Sequence, residues 1–299
     1  MIKLDGVTKR FDKYVAVDSI QLEIPKGSIY GLLGSNGAGK STILRILSGV
    51  YKADSGRAEI DGEIIYNNPS AKEKVFFVND ETIQYTNFTL IDLAKYYSNF
   101  YPNYSKEKFE KLCGILQLPK NKKLSTFSKG MKRQAIVICA LACQPEYLLL
   151  DEAFDGLDPT MRIIVKRMVV DEMLDREMTT IISSHNLKEI DDFCDTVGML
   201  HKGRIVFNKE LDSVKGNIHK IQTAFEVDYD ERDFEGIDIL HYEKNGSIVY
   251  IIAKGNEKEI EKKIRDKEPK IFDMVPLSLE EVFIYEMEGL GYEFNEVSQ

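Results

Sequence analysis

The sequence predicts an α/β fold with a largely parallel sheet, followed by a smaller α+β domain at the carboxyl end. Across the first ~215 residues, short apolar runs, glycine turns and helical patterns alternate, which is the order expected of such a fold. One of the glycine turns, at 34–41, has the spacing of a phosphate-binding loop. From about residue 217 onward, apolar and polar residues alternate with period two, which indicates a second sheet.

Two apolar runs predict the buried strands of the parallel sheet. Residues 28–33 end in the glycine-rich turn, and an amphipathic helix is predicted after it, over 41–47. Residues 147–150 end in two acidic residues. Short continuous apolar runs bounded by turns are typical of strands that are covered on both faces. Between these strands, residues 82–145 are rich in aromatic side chains and helical spacing, which predicts an inserted helical subdomain.

The carboxyl-terminal segment has the pattern of an antiparallel sheet. The predicted strands are 221–229, 239–243 and 247–253. Asn245 and Gly246 form a dipeptide that favours a two-residue hairpin between the second and third strands. We therefore expect two domains, which cover 1–216 and 217–299.

Two helices and one strand are predicted beyond that hairpin. The first helix covers about 257–266, and a short strand follows Pro269. Ser278 and Glu281 have the spacing of a capping box, in which each side chain bonds the backbone N–H of the other residue. This capping box predicts that the last helix covers 279–287.

Composition excludes several classes of protein. Of the 299 residues, 43% are hydrophobic, which is enough for a folded core and excludes disorder as the main state. The chain has 40 basic and 49 acidic residues and a net charge of −9, so we expect no nucleic-acid partner. Its longest strongly apolar stretch, about 134–145, is roughly half of the ~20 residues that cross a bilayer. The first residues lack the features of a secretory signal, so we expect a cytoplasmic protein.

Residues 34–41 read GSNGAGKS and match the phosphate-loop motif between a predicted strand and a predicted helix. Glycines let the loop curl so that backbone N–H groups point at an anion, and the following helix adds its positive end. Lys40 is expected on the β- and γ-phosphates of a nucleotide, and the Ser41 hydroxyl on Mg²⁺. The predicted nucleotide-binding residues in this loop are Ser35, Asn36, Gly37, Ala38, Gly39, Lys40, Ser41 and Thr42.

Asp151 and Glu152 follow the second buried strand. The carboxyl edge of a parallel sheet is where ligands bind in such folds, so both carboxylates are expected near the phosphate loop. Asp151 suits a position close to Mg²⁺, which prefers oxygen ligands. Glu152 is one residue beyond and is predicted to accept a proton from a water aimed at the γ-phosphate.

Between the two motifs, residues 127–131 read FSKGM. With its neighbours in the same order along the chain, this segment resembles the signature loop of the ATP-binding subunit of ABC transporters, which usually reads LSGGQ. The resemblance covers about 215 residues, and it implies that Ser128 and Gly130 contact the γ-phosphate of nucleotide held by a second subunit. Donors at a helix start suit an anion. Lys129 and Met131 depart from the usual pattern.

Three further residues match the family in its order. Phe11 is similar to the aromatic residue that stacks on adenine, although an ordinary residue at a strand end would look the same. Asp158, in the segment 155–158, resembles the acidic residue of the loop that crosses the dimer interface. His185 matches the histidine that reaches the γ-phosphate, and the alternative is a structural histidine after a strand.

One match with the family fails. The glutamine that links Mg²⁺ and the attacking water to the membrane subunit aligns with Asp80. Asp80 still offers an oxygen to the metal, but it adds a negative charge and lacks the amide donor. Glu81 is the other candidate for this role.

The resemblance implies an ABC-type ATPase core with a phosphate loop, a β-rich amino-terminal layer, a helical insert and the small α+β carboxyl-terminal domain. It further implies ATP and Mg²⁺ as ligands, and hydrolysis by Glu152, His185 and Lys40. Two copies, or this chain and another ABC ATPase, would enclose two ATP molecules. A separate transmembrane permease subunit would bind the chain at the inner face of the cell membrane. The layout resembles the subclass that serves bacterial exporters.

Two other functions compete with transport. The first is an ABC ATPase that acts on ribosomes or DNA, but the chain has one phosphate loop, no long coiled coil and an acidic balance. The second is a small-molecule kinase or a GTPase, which leaves Ser128, Gly130 and His185 without a role. A separate alternative concerns the aromatic residues over 96–104, which fit a docking surface and a helical core equally well.

Overall fold

The computed structural model describes residues 1–79, 87–227 and 229–289. The described chain divides into two compact units. The first consists of Met1–Asn186 and Phe193–Asn208, and the second of Leu187–Asp192 and the residues from Lys209 onward. Both units mix helices and sheets, so the predicted α/β fold class is confirmed.

The strands along the first unit are β1 (Ile2–Phe11), β2 (Tyr14–Ile24), β3 (Ile29–Leu33), β4 (Ser55–Ile60), β5 (Glu63–Ile64), β6 (Val75–Val78), β7 (Tyr147–Asp151), β8 (Thr179–Ser184), β9 (Thr196–His201) and β10 (Arg204–Glu210). Its helices are α1 (Lys40–Leu47), α2 (Pro69–Lys72), α3 (Leu90–Ser98), α4 (Lys106–Ile115), α5 (Lys129–Ala142) and α6 (Pro159–Arg176). The second unit contains α7 (Leu187–Asp191), α8 (Leu211–Lys215), β11 (Ile218–Ala224), β12 (Asp238–Asn245), β13 (Ile248–Lys254), α9 (Glu257–Arg265), β14 (Ile271–Val275) and α10 (Leu279–Gly289).

A six-stranded sheet with the order β10-β9-β3-β8-β7-β6 forms the centre of the first unit. The pairs from β9 through β3, β8 and β7 to β6 are parallel. The strands β3 and β7 are buried along their whole length, as their continuous apolar runs predict. Because parallel strands end at one edge, the residues that follow β3, β7 and β8 come together there.

The predicted amino-terminal layer is a second, antiparallel sheet with the order β2-β1-β4-β5. Its inner face carries Ile2, Leu4, Ile20 and Ile24, which pack in one core with Leu32 of the parallel sheet. Burial of each such side chain contributes about 1.5–3 kcal/mol. This shared core therefore packs the hairpin of β1 and β2 against the parallel sheet.

The helical segment contains α3, α4 and α5, and its predicted start at residue 82 lies outside the described residues. The structure divides the aromatic run between core and surface. Tyr97 and Tyr101 pack on Phe76 of β6, with ring centroids 4.9 and 5.1 Å away. Phe100, by contrast, is 55% exposed. The core interpretation holds for the two tyrosines and not for Phe100.

The second unit is built on a four-stranded sheet with the order β12-β13-β11-β14. The helix α9 places Ile260 and Ile264 on Ile221 and Ile251 of the sheet. The predicted hairpin between β12 and β13 is confirmed, but Asn245 pairs with Ile248, so the loop is one residue later than the dipeptide suggested.

The predicted strand over 221–229 is wrong at both ends, because β11 covers Ile218–Ala224. Ala224 is the last residue paired with β14. Beyond it, Phe225 and Tyr229 leave the ladder and pack their rings on Phe234, with centroids 5.8 and 6.1 Å away. Apolar burial in that aromatic cluster outweighs the alternation that predicted a longer strand.

The predicted capping box at the start of α10 is confirmed. The Glu281 backbone N–H donates to Ser278 Oγ over 3.2 Å, and the Ser278 backbone N–H donates to Glu281 Oε2 over 3.0 Å. Across the three described stretches, every helix is too short or too polar to cross a membrane.

Candidate active site

The phosphate loop connects β3 to α1, as the motif predicts. Gly39 precedes the first helical residue with φ +111°, and a Cβ there would lie 2.4 Å from the Ala16 carbonyl oxygen. Only glycine fits this close approach of two backbones. Asn36 and Gly37 at the tip are exposed, whereas Ala38 is buried. The loop thus presents its tip to solvent at the positive end of α1.

The Lys40 side chain folds back across the loop and is only 5% exposed. Its Nζ donates to the carbonyl oxygens of Gly34 and Ser35 over 2.6 and 3.2 Å. The same Nζ lies 3.4 Å from Glu152 Oε1. The ammonium group therefore lies between the loop and the carboxylate that follows β7.

Asp151 ends β7 and is fully buried. Its Oδ1 accepts hydrogen bonds from Ser41 Oγ at 3.0 Å and from Ser183 Oγ at 2.6 Å. Sequence reasoning missed Ser183, because none of the recognised motifs includes it. The signal that could have found it is register: Ser183 lies beside Asp151 in the parallel pair of β7 and β8.

Glu152 has a left-handed backbone with φ +46°, which is uncommon for a residue other than glycine. Its backbone N–H donates to Ser183 Oγ over 3.1 Å. Its Oε2 lies 3.0 Å from Nδ1 of His185, which follows the end of β8. When Glu152 is ionised, His185 carries a proton on Nδ1 and directs Nε2 away from the carboxylate. Glu152 is thus held between His185 and Lys40.

The oxygen atoms around Asp151 fit a magnesium ion. Within the described part of the chain, Asp151 Oδ2 is buried and has no hydrogen-bond partner. The Ser41 hydroxyl lies beside the same carboxylate. Residues 1–79, 87–227 and 229–289 contain no cluster of three or more His, Cys, Asp or Glu that could hold a metal. One carboxylate and one hydroxyl match the way Mg²⁺ binds beside substrate phosphates.

Ser128 and Asp158 each begin a helix. Ser128 Oγ accepts from the backbone N–H of Met131 at the start of α5, over 3.2 Å. Asp158 Oδ1 accepts from the backbone N–H of Met161 at the start of α6, over 3.0 Å. Both side chains are exposed. Within the described part of the chain, neither capping bond involves a residue of the phosphate loop.

The loops that contain Ser128 and Asp158 touch each other through their glycines. A Cβ on Gly130 would lie 2.8 Å from the Gly156 carbonyl oxygen, so only glycine allows this approach. The aliphatic part of Lys129 covers Gly156, and its Cδ would lie 3.3 Å from a Cβ there. Lys129, which departs from the family pattern, therefore packs on Gly156 of the other loop.

Phe11 lies at the end of the hairpin of β1 and β2 and is 40% exposed. Its ring meets Tyr51 edge to face, with centroids 5.4 Å apart. Asp80 and Glu81, the candidates for the glutamine position, lie outside the described residues. Asn79 is the last described residue before them, and its carbonyl oxygen accepts a hydrogen bond from Arg133 Nη1.

Comparison with known proteins identifies the family. The family model described as ABC transporter matches residues 17–155. The chain is 31% identical to the ABC transporter ATP-binding protein YtrB of Bacillus subtilis (strain 168), over 97% of this chain and 99% of that protein. It is 33% identical to the bacitracin transport ATP-binding protein BcrA of Bacillus licheniformis, over 72% and 71% of the two chains.

Solved structures show the same fold at lower identity. An ATP-binding subunit of an ABC transporter matches with a TM-score of 0.66 and 22% identity, over 72% of this chain and 92% of that one. The dimeric bacterial ABC transporter cassette MJ0796 matches with a TM-score of 0.64 and 21% identity, over 71% and 99%. The chain belongs to the family of ABC transporter ATP-binding proteins, the subunits of these transporters that bind and hydrolyse ATP.

Proposed function

We propose that the chain drives export by hydrolysing ATP in a dimer that binds a separate membrane subunit. One observation carries the catalytic part of this proposal. Lys40, Glu152 and His185 are in contact at the carboxyl edge of the parallel sheet, next to the paired Ser41 and Asp151. Such a set can hold phosphates and direct a water at the γ-phosphate.

Phosphate binding is assigned to the loop and Lys40. The backbone N–H groups over 35–42 and the positive end of α1 attract the β- and γ-phosphates. Lys40 Nζ bonds only loop carbonyls and the Glu152 carboxylate in the described structure, and a phosphate offers it stronger acceptors. We therefore expect the ammonium group to turn toward the nucleotide.

Glu152 is assigned as the general base. It accepts a proton from the water whose oxygen bonds to the γ-phosphorus, while the bond to the β-phosphate oxygen breaks. The Ser183 hydroxyl holds the backbone of Glu152, and His185 holds its carboxylate. Both contacts orient the base before the water arrives, and positioning is the larger part of such catalysis.

Ser41 and Asp151 are assigned to Mg²⁺, with Asp80 as a further oxygen donor from the family alignment. When bound, the ion neutralises charge on the β- and γ-phosphate oxygens. Ser41 and Ser183 hold Asp151 by its Oδ1, and its Oδ2 has no hydrogen-bond partner within the described chain. The described chain therefore offers one oxygen of Ser41 and one of Asp151 to the metal at this position.

The dimer part of the proposal assigns Ser128, Gly130 and Asp158 to the ATP held by the other subunit, and Phe11 to the adenine of its own. The contact of Gly130 with Gly156 supports it, because it joins the two loops into one surface. A dimeric cassette among the structural relatives supports it as well.

We also propose that the ATPase domain covers 1–216, that its helical subdomain covers about 82–145, and that the accessory domain covers 217–299.

Export is proposed from the relatives. BcrA is named for bacitracin transport, and a further relative from Streptococcus pyogenes, SrtF, is named for lantibiotic transport. We place the chain at the inner face of the cell membrane, bound to a permease subunit. The rival is an ABC ATPase that acts on ribosomes or DNA. Affinity capture of the cross-linked chain from cells distinguishes them: a multi-span membrane protein is expected, and enrichment of ribosomes or DNA would favour the rival.

Lys40→Ala tests the catalytic assignment. The variant removes the fixed positive charge that faces the phosphates, so ATP hydrolysis should fall by roughly 10²-fold or more. Steady-state phosphate release measures the effect. Lys52→Ala, which removes an exposed lysine beyond the same helix, should retain the activity of the unchanged chain. Full hydrolysis by Lys40→Ala would refute the assignment of the loop.

A further inference from the structure

Two residues from other elements donate hydrogen bonds to backbone carbonyls of the phosphate loop. Tyr14, the first residue of β2, donates its hydroxyl to the Gly37 carbonyl oxygen over 3.1 Å. Gly203, in the turn between β9 and β10, donates its backbone N–H to the next carbonyl, that of Ala38, over 3.0 Å. Two successive carbonyls of the loop are therefore fixed from outside.

The carbonyl that Tyr14 holds belongs to the peptide that closes the loop. In a trans peptide, the carbonyl and the following N–H point in opposite directions, and no described peptide is cis. The N–H opposite the Gly37 carbonyl is that of Ala38, which donates across the loop to the Ser35 carbonyl over 3.1 Å. Tyr14 thus holds the plane of the peptide that sets the curl of the loop.

The tip of the loop has few other supports. A Cβ on Gly37 would meet no atom within 4 Å in the described structure. Gly37 has φ +83° and lacks a side chain that could pack, so its backbone has more freedom than that of any other residue type. The Tyr14 hydroxyl restricts this freedom at the point where it is largest.

The position of Tyr14 in the hairpin explains how it reaches the loop. Phe11 and Tyr14 are opposite each other in the register of β1 and β2, and directly opposed residues project from the same face of a sheet. Phe11 is the residue proposed for adenine. One end of the hairpin therefore presents an aromatic ring for the base and a hydroxyl for the phosphate loop.

We infer that Tyr14 is a positioning residue for the phosphates of ATP, and that its hydroxyl, through Gly37, sets the loop conformation that binds them. The inference rests on the proposed function of the loop. Tyr14 is 58% exposed, so its ring contributes little to the core, and the hydroxyl is the part that acts.

Tyr14→Phe tests the inference because it removes only the hydroxyl. Loss of one hydrogen bond should weaken binding roughly 2- to 10-fold. The affinities for ATP and for tripolyphosphate, measured by displacement of a fluorescent ATP analogue, should fall by the same factor. The KM for ATP should rise with kcat retained. The thermal midpoint of the nucleotide-free chain should stay the same.

Two control variants separate the possible causes. Tyr101→Phe removes a hydroxyl that donates to the Val75 carbonyl oxygen over 2.9 Å, so it should lower the thermal midpoint and leave tripolyphosphate binding unchanged. Phe11→Leu should weaken ATP but not tripolyphosphate, which has no base.

Three results for Tyr14→Phe would overturn the inference. ATP weakened with tripolyphosphate unchanged would make Tyr14 a contact of the base. Unchanged affinity for both ligands would show that the hydroxyl has no role. A nucleotide-free midpoint that falls together with affinity would show general support of the fold. Failure of the unchanged chain to bind ATP would instead refute the proposed function itself.

Discussion

Ser183 is a side chain of the candidate site that sequence reasoning missed. Its hydroxyl donates to Asp151 Oδ1 and accepts from the backbone N–H of Glu152. One short side chain therefore orients the proposed metal ligand and the proposed base together. A buried carboxylate needs such donors, because unpaired burial of its charge is costly.

We expect Ser183→Ala to lower ATP hydrolysis and to raise the magnesium concentration needed for half of the maximal rate. Loss of the donor leaves Asp151 with one hydroxyl partner, and such a loss costs about 1–3 kcal/mol. A magnesium titration of phosphate release measures the effect. Ser48→Ala removes a hydroxyl that bonds the Arg45 carbonyl oxygen and serves as the control. A titration identical to that of the unchanged chain would contradict the prediction.

The cysteines of the helical segment illustrate how burial controls reactivity. Cys113 of α4 and Cys139 of α5 are buried, as is Cys143 after α5. Burial penalises the thiolate and raises the pKa of Cys113 to about 11 and that of Cys143 to about 12. Burial also raises the pKa of Cys139 well above its ordinary value.

At pH 8 these three thiols should resist iodoacetamide in the folded chain. For a pKa near 11, only about one thiol in a thousand is ionised at this pH, and the thiolate is the reactive form. Since the pKa values are raised, the labelled fraction should increase as the pH approaches 11. Mass spectrometry of the native chain and of the chain in urea measures labelling. Fast native labelling of Cys139 would show that this part of the helical segment opens readily.

At the scale of elements, Glu172 joins α4 of the helical segment to α6, the helix that follows β7. It lies on α6, is 7% exposed, and accepts hydrogen bonds from Lys108 of α4 and from Arg176 Nε, the latter over 2.7 Å. Arg176 also donates to the Gln144 carbonyl oxygen after α5, over 3.2 Å. Two helices, α4 and α6, therefore meet at the Glu172 carboxylate, and Arg176 links the same part of α6 to the segment after α5.

Glu172→Gln should lower the stability of the fold by about 1–3 kcal/mol. The change leaves two cations beside a neutral amide, and losing one partner of a buried ion pair is strongly destabilising. The partial exposure of Lys108 and Arg176 reduces the loss. The midpoint of urea unfolding measures it. Glu110→Gln on α4, which breaks an exposed pair with Lys120, should shift the midpoint much less, because exposed ion pairs contribute little to stability. Equal shifts for the two variants would contradict the prediction.

For the whole molecule, the proposed dimer gives the sharpest test. Glu152→Gln removes the base but keeps the shape of the site, so ATP should hold two chains together for long periods. ADP should not, because it lacks the γ-phosphate that both subunits of the proposed dimer would contact, and a ligand shifts an equilibrium only by its differential affinity for the two states. Light scattering with ATP, with ADP and without nucleotide measures the mass.

Ser128→Arg in the same chain is the companion variant. Ser128 is exposed at the start of α5, so an arginine there adds bulk at the proposed interface without entering the core. The double variant should stay monomeric and still bind a fluorescent ATP analogue. If Glu152→Gln alone stays monomeric at saturating ATP, a homodimer of the isolated chain is refuted. Full hydrolysis by Glu152→Gln would refute its role as the base.

The sequence alone determined the features that depend on residues close together along the chain. The loop at 34–41, the buried runs of β3 and β7, the hairpin after β12 and the capping box of α10 each follow from local spacing. Local patterns of this kind report backbone conformation and periodic burial directly. The phosphate loop, β3, β7 and the capping box lie where these patterns predict them, and the hairpin loop lies one residue later than predicted.

Tertiary structure alone decided what these residues contact. Ser41 and Asp151 are 110 residues apart in the chain, and the common carboxyl edge of the parallel strands brings their side chains within 3.0 Å. The register of β7 and β8 places Ser183 beside Asp151, and the hairpin of β1 and β2 brings Tyr14 to Gly37. The end of β11 was wrong in the sequence prediction for the same reason, since packing between distant residues competes with local preference. Contacts between strands depend on register and packing, which no single segment encodes.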